Sequence, residues 1–156
     1  MIKPIGVIYS PFKELEKMPI QPKSAVGKVG RVVLDDEYLD GLQDLEGFSH
    51  IYLIYKFHEC RTTKLKVIPF VDVVERGVYA TRAPVRPNHI GLSIVRLLEV
   101  KGSTLVIEGV DVLDGTPLLD IKPYVAKFDQ VTSSQDGWVK ASEEDIAGKR
   151  SDSRFR

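Results

Sequence analysis

Residues 82–88 hold two arginines, two prolines and an asparagine in seven positions, with His89 directly after them. A guanidinium group is planar, permanently charged and matched in shape to a carboxylate or a phosphate. Each proline fixes its own φ and pushes the residue before it out of the helical region. Arg82 and Arg86 are therefore expected on a stiff, non-helical loop that contributes little core. The plain alternative is a proline-rich turn with solvated arginines. Three further polar clusters interrupt apolar sequence: Pro19 with Gln21, His58 with Glu59, and Asp111 to Asp120. Asp114 precedes Gly115, a common turn pair, so a turn-making role competes with a site role. His50 and His58 have no second histidine or carboxylate at ligand spacing, which argues against a metal. No glycine-rich dinucleotide loop, phosphate-cradling loop or nucleophile elbow occurs.

The elements that must position these clusters read as short strands. Ile2–Tyr9 and Gly27–Leu34 are strand candidates. Asp35-Asp36-Glu37 reads as a helix start, with Tyr38, Leu39, Leu42 and Leu45 at helical spacing, weakened by Gly41. Phe48 to Glu59 is nearly continuous in apolar and aromatic character, as expected for a strand buried on both faces. Val78–Thr81 reads as a strand. Ile90–Val100 reads as a helical turn continuing into a strand, followed by a hairpin turn at Lys101-Gly102-Ser103. Thr104–Val110 and Leu118–Ile121 complete the set. Many short strands and almost no helical period favour an all-β fold: a small closed antiparallel barrel with short helices and a C-terminal extension. Residues 1–128 form the expected barrel domain. Residues 129–156 form the extension, a tail or a swapped arm with a weak helix at Ala141–Ala147.

Composition limits the classes. The 156 residues suffice for one domain with one core. Lys plus Arg and Asp plus Glu both number 22, so a polyanion partner requires basic groups gathered on one face. The single cysteine excludes an intrachain disulfide and a cysteine-based zinc site. No stretch resembles a signal peptide or a membrane span, so a soluble, cytoplasmic protein is expected.

Five segments in order resemble one family: Gly6-Val7-Ile8 with Ser10-Pro11-Phe12; Gly47-Phe48-Ser49-His50-Ile51; Tyr79-Ala80-Thr81-Arg82; Arg86-Pro87-Asn88 with Ile90-Gly91-Leu92-Ser93; and Asp114-Gly115-Thr116-Pro117 with Asp120-Ile121-Lys122-Pro123-Tyr124. Together they resemble the TsaA-like (TrmO) family of S-adenosylmethionine-dependent tRNA N6-methyltransferases. The resemblance implies a small β-barrel, a homodimer, and methylation at N6 of threonylcarbamoyl-adenosine, beside the anticodon in the anticodon loop of tRNA. It implies S-adenosylmethionine contacts at Pro19, Gln21, His58, Glu59, Arg82, Leu92 and the segment Asp111, Val112, Leu113 and Asp114. Arg86, Asn88, Lys122 and Tyr124 are the substrate-facing candidates, and His58 and Asp114 the candidates for a catalytic group. Basic Arg61, Lys64, Lys66 and Arg76 are candidates for phosphate contacts. The family usually has proline where this chain has His89, which implies a looser loop here. Longer members add a C-terminal domain that residues 129–156 are too few to form. Two other readings stay open: a non-catalytic RNA-binding or regulatory barrel, and a methyltransferase acting on a different small acceptor.

Overall fold

The computed structural model describes residues 1–14, 25, 27–140 and 150–152. Six strands form a closed antiparallel barrel: β1 (Gly6–Tyr9), β2 (Val29–Leu34), β3 (His50–Lys56), β6 (Ile90–Lys101), β7 (Thr104–Glu108) and β8 (Thr116–Pro123), in the spatial order β1-β2-β7-β6-β3-β8. Closure pairs every strand with a neighbour on each side along at least part of its length, and alternate side chains on each strand point inward. Ile8, Val32, Ile51, Leu53, Leu105, Ile107 and Leu118 fill the interior and are fully buried. The expected barrel is thus the observed one. A two-stranded ribbon of β4 (Lys66–Val67) and β5 (Arg76–Gly77) lies outside it.

Several elements differ from the sequence reading. In β3, Ile51, Leu53 and Tyr55 are buried while Tyr52 and Ile54 are only half-buried. A single-layer barrel packs one face of each strand, so the apolar run does not require cover on both. The expected helix after Asp35 is a 3-10 helix at Asp36–Leu42, followed by a second at Leu45–Gly47, with Asp44 between them at a φ of 69°. Val78–Ala80 is a 3-10 turn rather than a strand. Side chains take its carbonyls instead of a ladder partner: the Thr81 hydroxyl and the Arg86 guanidinium donate to Val78 O, and the Trp138 indole N–H donates to Ala80 O. The strand β6 is extended from Ile90 onward, without the expected opening helical turn. A helix, α1 (Ala126–Asp129), follows the barrel. The expected helix at 141–147 lies outside the described residues.

The antiparallel order sorts the connections by end. The β1–β2, β3–β6 and β7–β8 connections leave from one end, and the β2–β3 and β6–β7 connections from the other. The second end is closed tightly: a two-residue hairpin at Gly102-Ser103, with Gly102 at a φ of 59°, joins β6 to β7, and Leu42 and Leu45 of the 3-10 helices enter the barrel core. The first end carries the longest connection, residues 57–89, which holds β4 and β5 and its own small core of Val67, Val78, Ala83 and Val85.

Candidate active site

The long β6 changes partners along its length. Residues 90–96 pair with β3, and residues 96–101 pair with β7 across a bulge between Leu97 and Glu99. β7 stops at Glu108 opposite Arg96, so the first half of β6 meets a loop on that side instead of a strand. Gly109, at a φ of 86°, turns the chain there. Val110 and Val112 plug into the core, and Asp111 between them meets Ser93 on β6.

That meeting is a short buried polar chain. The Ser93 hydroxyl donates to Asp111 Oδ1 at 2.7 Å and lies 2.8 Å from the Tyr55 hydroxyl. A serine has one hydroxyl hydrogen, so the Tyr55 O–H is the donor in the second contact. Burial drives the Tyr55 pKa far above the ordinary phenol value, which keeps it a donor. Burial also pushes the Asp111 carboxyl up to about 6, opposed by the Ser93 hydrogen bond and by the charge of Arg82. Arg82 is exposed, on the connection that enters β6, and its charge acts on both Asp111 and Tyr55. An acid and a guanidinium thus lie at the same end of the barrel, the charge of one acting on the other.

The Asp114 carboxylate is occupied in a different way. Its Oδ1 accepts the Ser10 backbone N–H at 2.9 Å, and its Oδ2 accepts Lys13 Nζ at 2.6 Å. The Lys13 hydrogen bond is the leading cause of its lowered pKa. Around it, Ser10 Oγ donates to the Val112 carbonyl at 2.6 Å and the Asp114 N–H donates to the Phe12 carbonyl at 2.7 Å. Residues 112–115 are thereby zipped to the chain leaving β1.

His58 and Glu59 follow β3 at the same end, with His58 Nε2 3.6 Å from Glu59 Oε1. Leu92 points outward from β6, 53% exposed. Leu113 is half-buried beside the zipped loop. Arg86 is turned into its own loop: its Nη1 donates to the carbonyls of Thr81 at 2.7 Å and Val78 at 3.0 Å. Beside it opens a hollow of about 220 Å³ lined by Tyr79, Arg86, Pro87, Asn88 and Ile90. His89 adopts a left-handed φ of 51°, which proline cannot take, yet its N–H donates to Arg86 O and its ring Nδ1 to Pro84 O at 3.0 Å. The loop at His89 is tied twice rather than simply loosened.

The structure therefore gathers Arg82, Asp111, Val112, Leu113, Asp114, His58, Glu59, Leu92, Arg86 and Asn88 at one end. It does not bring Lys122 and Tyr124 there. They lie toward the opposite end of β8, where Lys122 pairs with Asp120 at 3.5 Å and Tyr124 packs edge-on against Tyr52 and His50. Pro19 and Gln21 lie outside the described residues. Among the described residues no cluster of three or more potential metal ligands occurs, and no helix is long and apolar enough to cross a membrane. Sequence reasoning missed Ser93 and Tyr55. Ser93 sits in a strand and Tyr55 in an apolar run, so neither carries a local signal of its place beside Asp111.

A closed six-stranded β-barrel with polar loops gathered at one rim is the class of protein, and comparison places it in a family. The model described as the tRNA-methyltransferase O N-terminal domain matches residues 7–130, and the chain belongs to that family. It is 50% identical over 153 residues to a probable S-adenosyl-L-methionine-binding protein of Pyrococcus abyssi, covering 98% of this chain and 83% of the relative. It is 36% identical over 137 residues to the mouse tRNA (adenine(37)-N6)-methyltransferase, covering 83% of this chain but only 32% of that protein. The crystal structure of TrmO from Pseudomonas aeruginosa superposes with a TM-score of 0.75 at 38% identity, over 88% of this chain and 62% of that one.

Proposed function

We propose that this protein is an S-adenosylmethionine-dependent methyltransferase acting on tRNA. The observation that carries the reading is the convergence of Arg82, whose charge acts on Asp111, with the Ser93-bonded Asp111 carboxylate at the barrel end where the candidate loops meet. The cofactor's amino-acid part is a zwitterion: a guanidinium suits its carboxylate, and a carboxylate suits its ammonium or the sulfonium. Leu92, exposed on the neighbouring strand, offers apolar contact, and residues 112–115 form a fixed backbone wall. The donor set fits the cofactor. When bound, the cofactor supplies an electrophilic methyl group, and the protein's part is to orient that methyl and the accepting nitrogen in line.

For the acceptor we propose N6 of threonylcarbamoyl-adenosine next to the anticodon. Residues 56–89 contain seven basic side chains against three acidic ones, although the whole chain is balanced. The charge needed for an RNA partner is thus concentrated at the site end. Single-stranded RNA loops are held by stacking on aromatic rings. Tyr79, 74% exposed beside the hollow and under the Arg86 guanidinium at 6.0 Å, is the platform we assign. We assign Lys122 and Tyr124 no role at the reacting base. A homodimer fits the outer face of β6, which exposes Ile90, Leu92, Ile94 and Leu98. Light scattering of the purified protein tests it.

The first experiment is calorimetric titration with S-adenosylmethionine, followed by methyl transfer to tRNA carrying the threonylcarbamoyl group. Saturable binding and transfer are expected. A folded protein that binds the cofactor neither alone nor with tRNA would instead be a binding module. Tyr79→Ala should weaken tRNA binding, by about 1–3 kcal/mol for one lost stack, without changing cofactor affinity.

A further inference from the structure

We infer that Ser93 and Tyr55 are positioning residues of this site, which hold the Asp111 carboxylate as a charged acceptor at the barrel mouth beside Arg82. The inference rests on the cofactor reading above. Three observations support it. The donors run in one direction, from Tyr55 to Ser93 to Asp111 Oδ1, so both hydroxyls stabilise the ionised carboxylate and neither competes with it. The two residues belong to the barrel wall itself, on paired strands, and are almost fully buried, Ser93 to 2% exposure and Tyr55 to 5%. Their placement also depends on Gly91. A Cβ there would overlap Cε2 and Cζ of the Tyr55 ring, so the glycine lets the ring lie across β6 and reach the serine two residues on.

A satisfied polar chain in a core can be purely structural. The location argues for more. Asp111 sits where β7 has ended and a loop takes over the barrel wall, and the groups set against it are Arg82, Ser93 and, one step behind, Tyr55. A carboxylate left to burial alone would be protonated and useless to a cation near neutrality. The Ser93 hydroxyl and Arg82 both lower its pKa, which burial raises.

The test measures Asp111 and the cofactor separately. Carbon-13 NMR of the aspartate carboxyls follows the Asp111 titration in ligand-free protein, and calorimetry follows S-adenosylmethionine affinity from about pH 5 to pH 8, the range around the raised carboxyl. In wild-type protein, affinity should fall as pH drops through the Asp111 midpoint. Ser93→Ala should raise that midpoint by about half a unit or more, and the affinity profile should move with it. Tyr55→Phe, one bond further away, should move both in the same direction by less, and provides the test if Ser93→Ala fails to fold. Ser93→Thr, which keeps the hydroxyl, should restore the wild-type profile. Unmoved midpoints in both folded variants would overturn the inference. So would midpoints that move while the affinity profile stays fixed, with the cofactor reading intact. Wild-type protein that binds no cofactor at any pH would sink the reading and the inference together.

Discussion

The two ends of the barrel share six strands and little else. At one end, a two-residue hairpin and two 3-10 helices close the core with Leu42 and Leu45, and Tyr52, Tyr124 and His50 pack edge to face. At the other, long connections leave the wall, and acids, arginines and prolines meet over a mouth plugged by Val110 and Val112. One end is spent on burial, which is non-directional and stabilising. The other holds a buried-edge carboxylate against its solvation preference. Stability and chemistry are thus divided along the barrel axis, and a substitution's effect should depend on the end it strikes.

The largest effect should come from the closed end. Leu45→Ala removes a core side chain and should cost about 2–4 kcal/mol by denaturant unfolding, with cofactor affinity of the folded fraction unchanged. At the open end the pattern should invert. Arg82→Ala should weaken S-adenosylmethionine binding by about 10- to 100-fold, the worth of a charge-assisted hydrogen bond, with the melting temperature nearly unmoved. Equal losses of stability and affinity in either variant would break the division.

Asp111→Asn sharpens the comparison because its two effects should have opposite signs. The folded protein holds the Asp111 proton more tightly than the unfolded chain does, so ionising this group costs the fold. That cost is absent below about pH 4, grows as pH rises to about 6 and is constant above. The asparagine keeps an acceptor for Ser93 and removes the cost. The variant should therefore be more stable than wild type by up to about 3 kcal/mol at pH 7, lose that advantage by about pH 4, and bind the cofactor less well. The smallest effect belongs to Lys13→Met. Its ion pair with Asp114 is largely exposed on the lysine side, 70% by side chain, so the loss should be under about 1 kcal/mol and should shrink further in high salt.

How much of this was legible in the sequence depends on the range of the interaction. Strands such as β7 and β2 announce themselves by alternation, and the hairpin by Gly102, because those signals are local. Val78–Thr81 has the composition of a strand and is not one. No partner strand reaches it, and the side chains of Thr81, Arg86 and Trp138 take its carbonyls, which composition cannot convey. The polar clusters at 58–59, 82–88 and 111–114 were visible as chemistry out of place in apolar sequence. Their convergence was not, since it follows from strand order alone. Tyr55, Ser93 and Asp111 are separated by 38 and 18 positions, and a tyrosine and serine inside strands look like packing until the register is known. The placement of Lys122 and Tyr124 was hidden for the converse reason: they are close in sequence to the loop after β7, but the eight residues of β8 carry them to the other end.

The extension beyond the barrel reaches back to the site-end connection through Trp138. The Trp138 indole N–H donates to the Ala80 carbonyl at 2.7 Å, and the Arg76 guanidinium, itself bonded to Asp72 at 2.7 Å, lies 5.4 Å from the indole centre. This is the single tryptophan of the sequence, and it rests two residues from Arg82 along the chain it touches. The molecule therefore carries an intrinsic fluorophore at the rim of its proposed site. Its emission reports whether the extension is seated, with no label attached. A blue-shifted, cofactor-sensitive spectrum would show that the segment beyond residue 130, where the family match ends, still feels what the barrel binds.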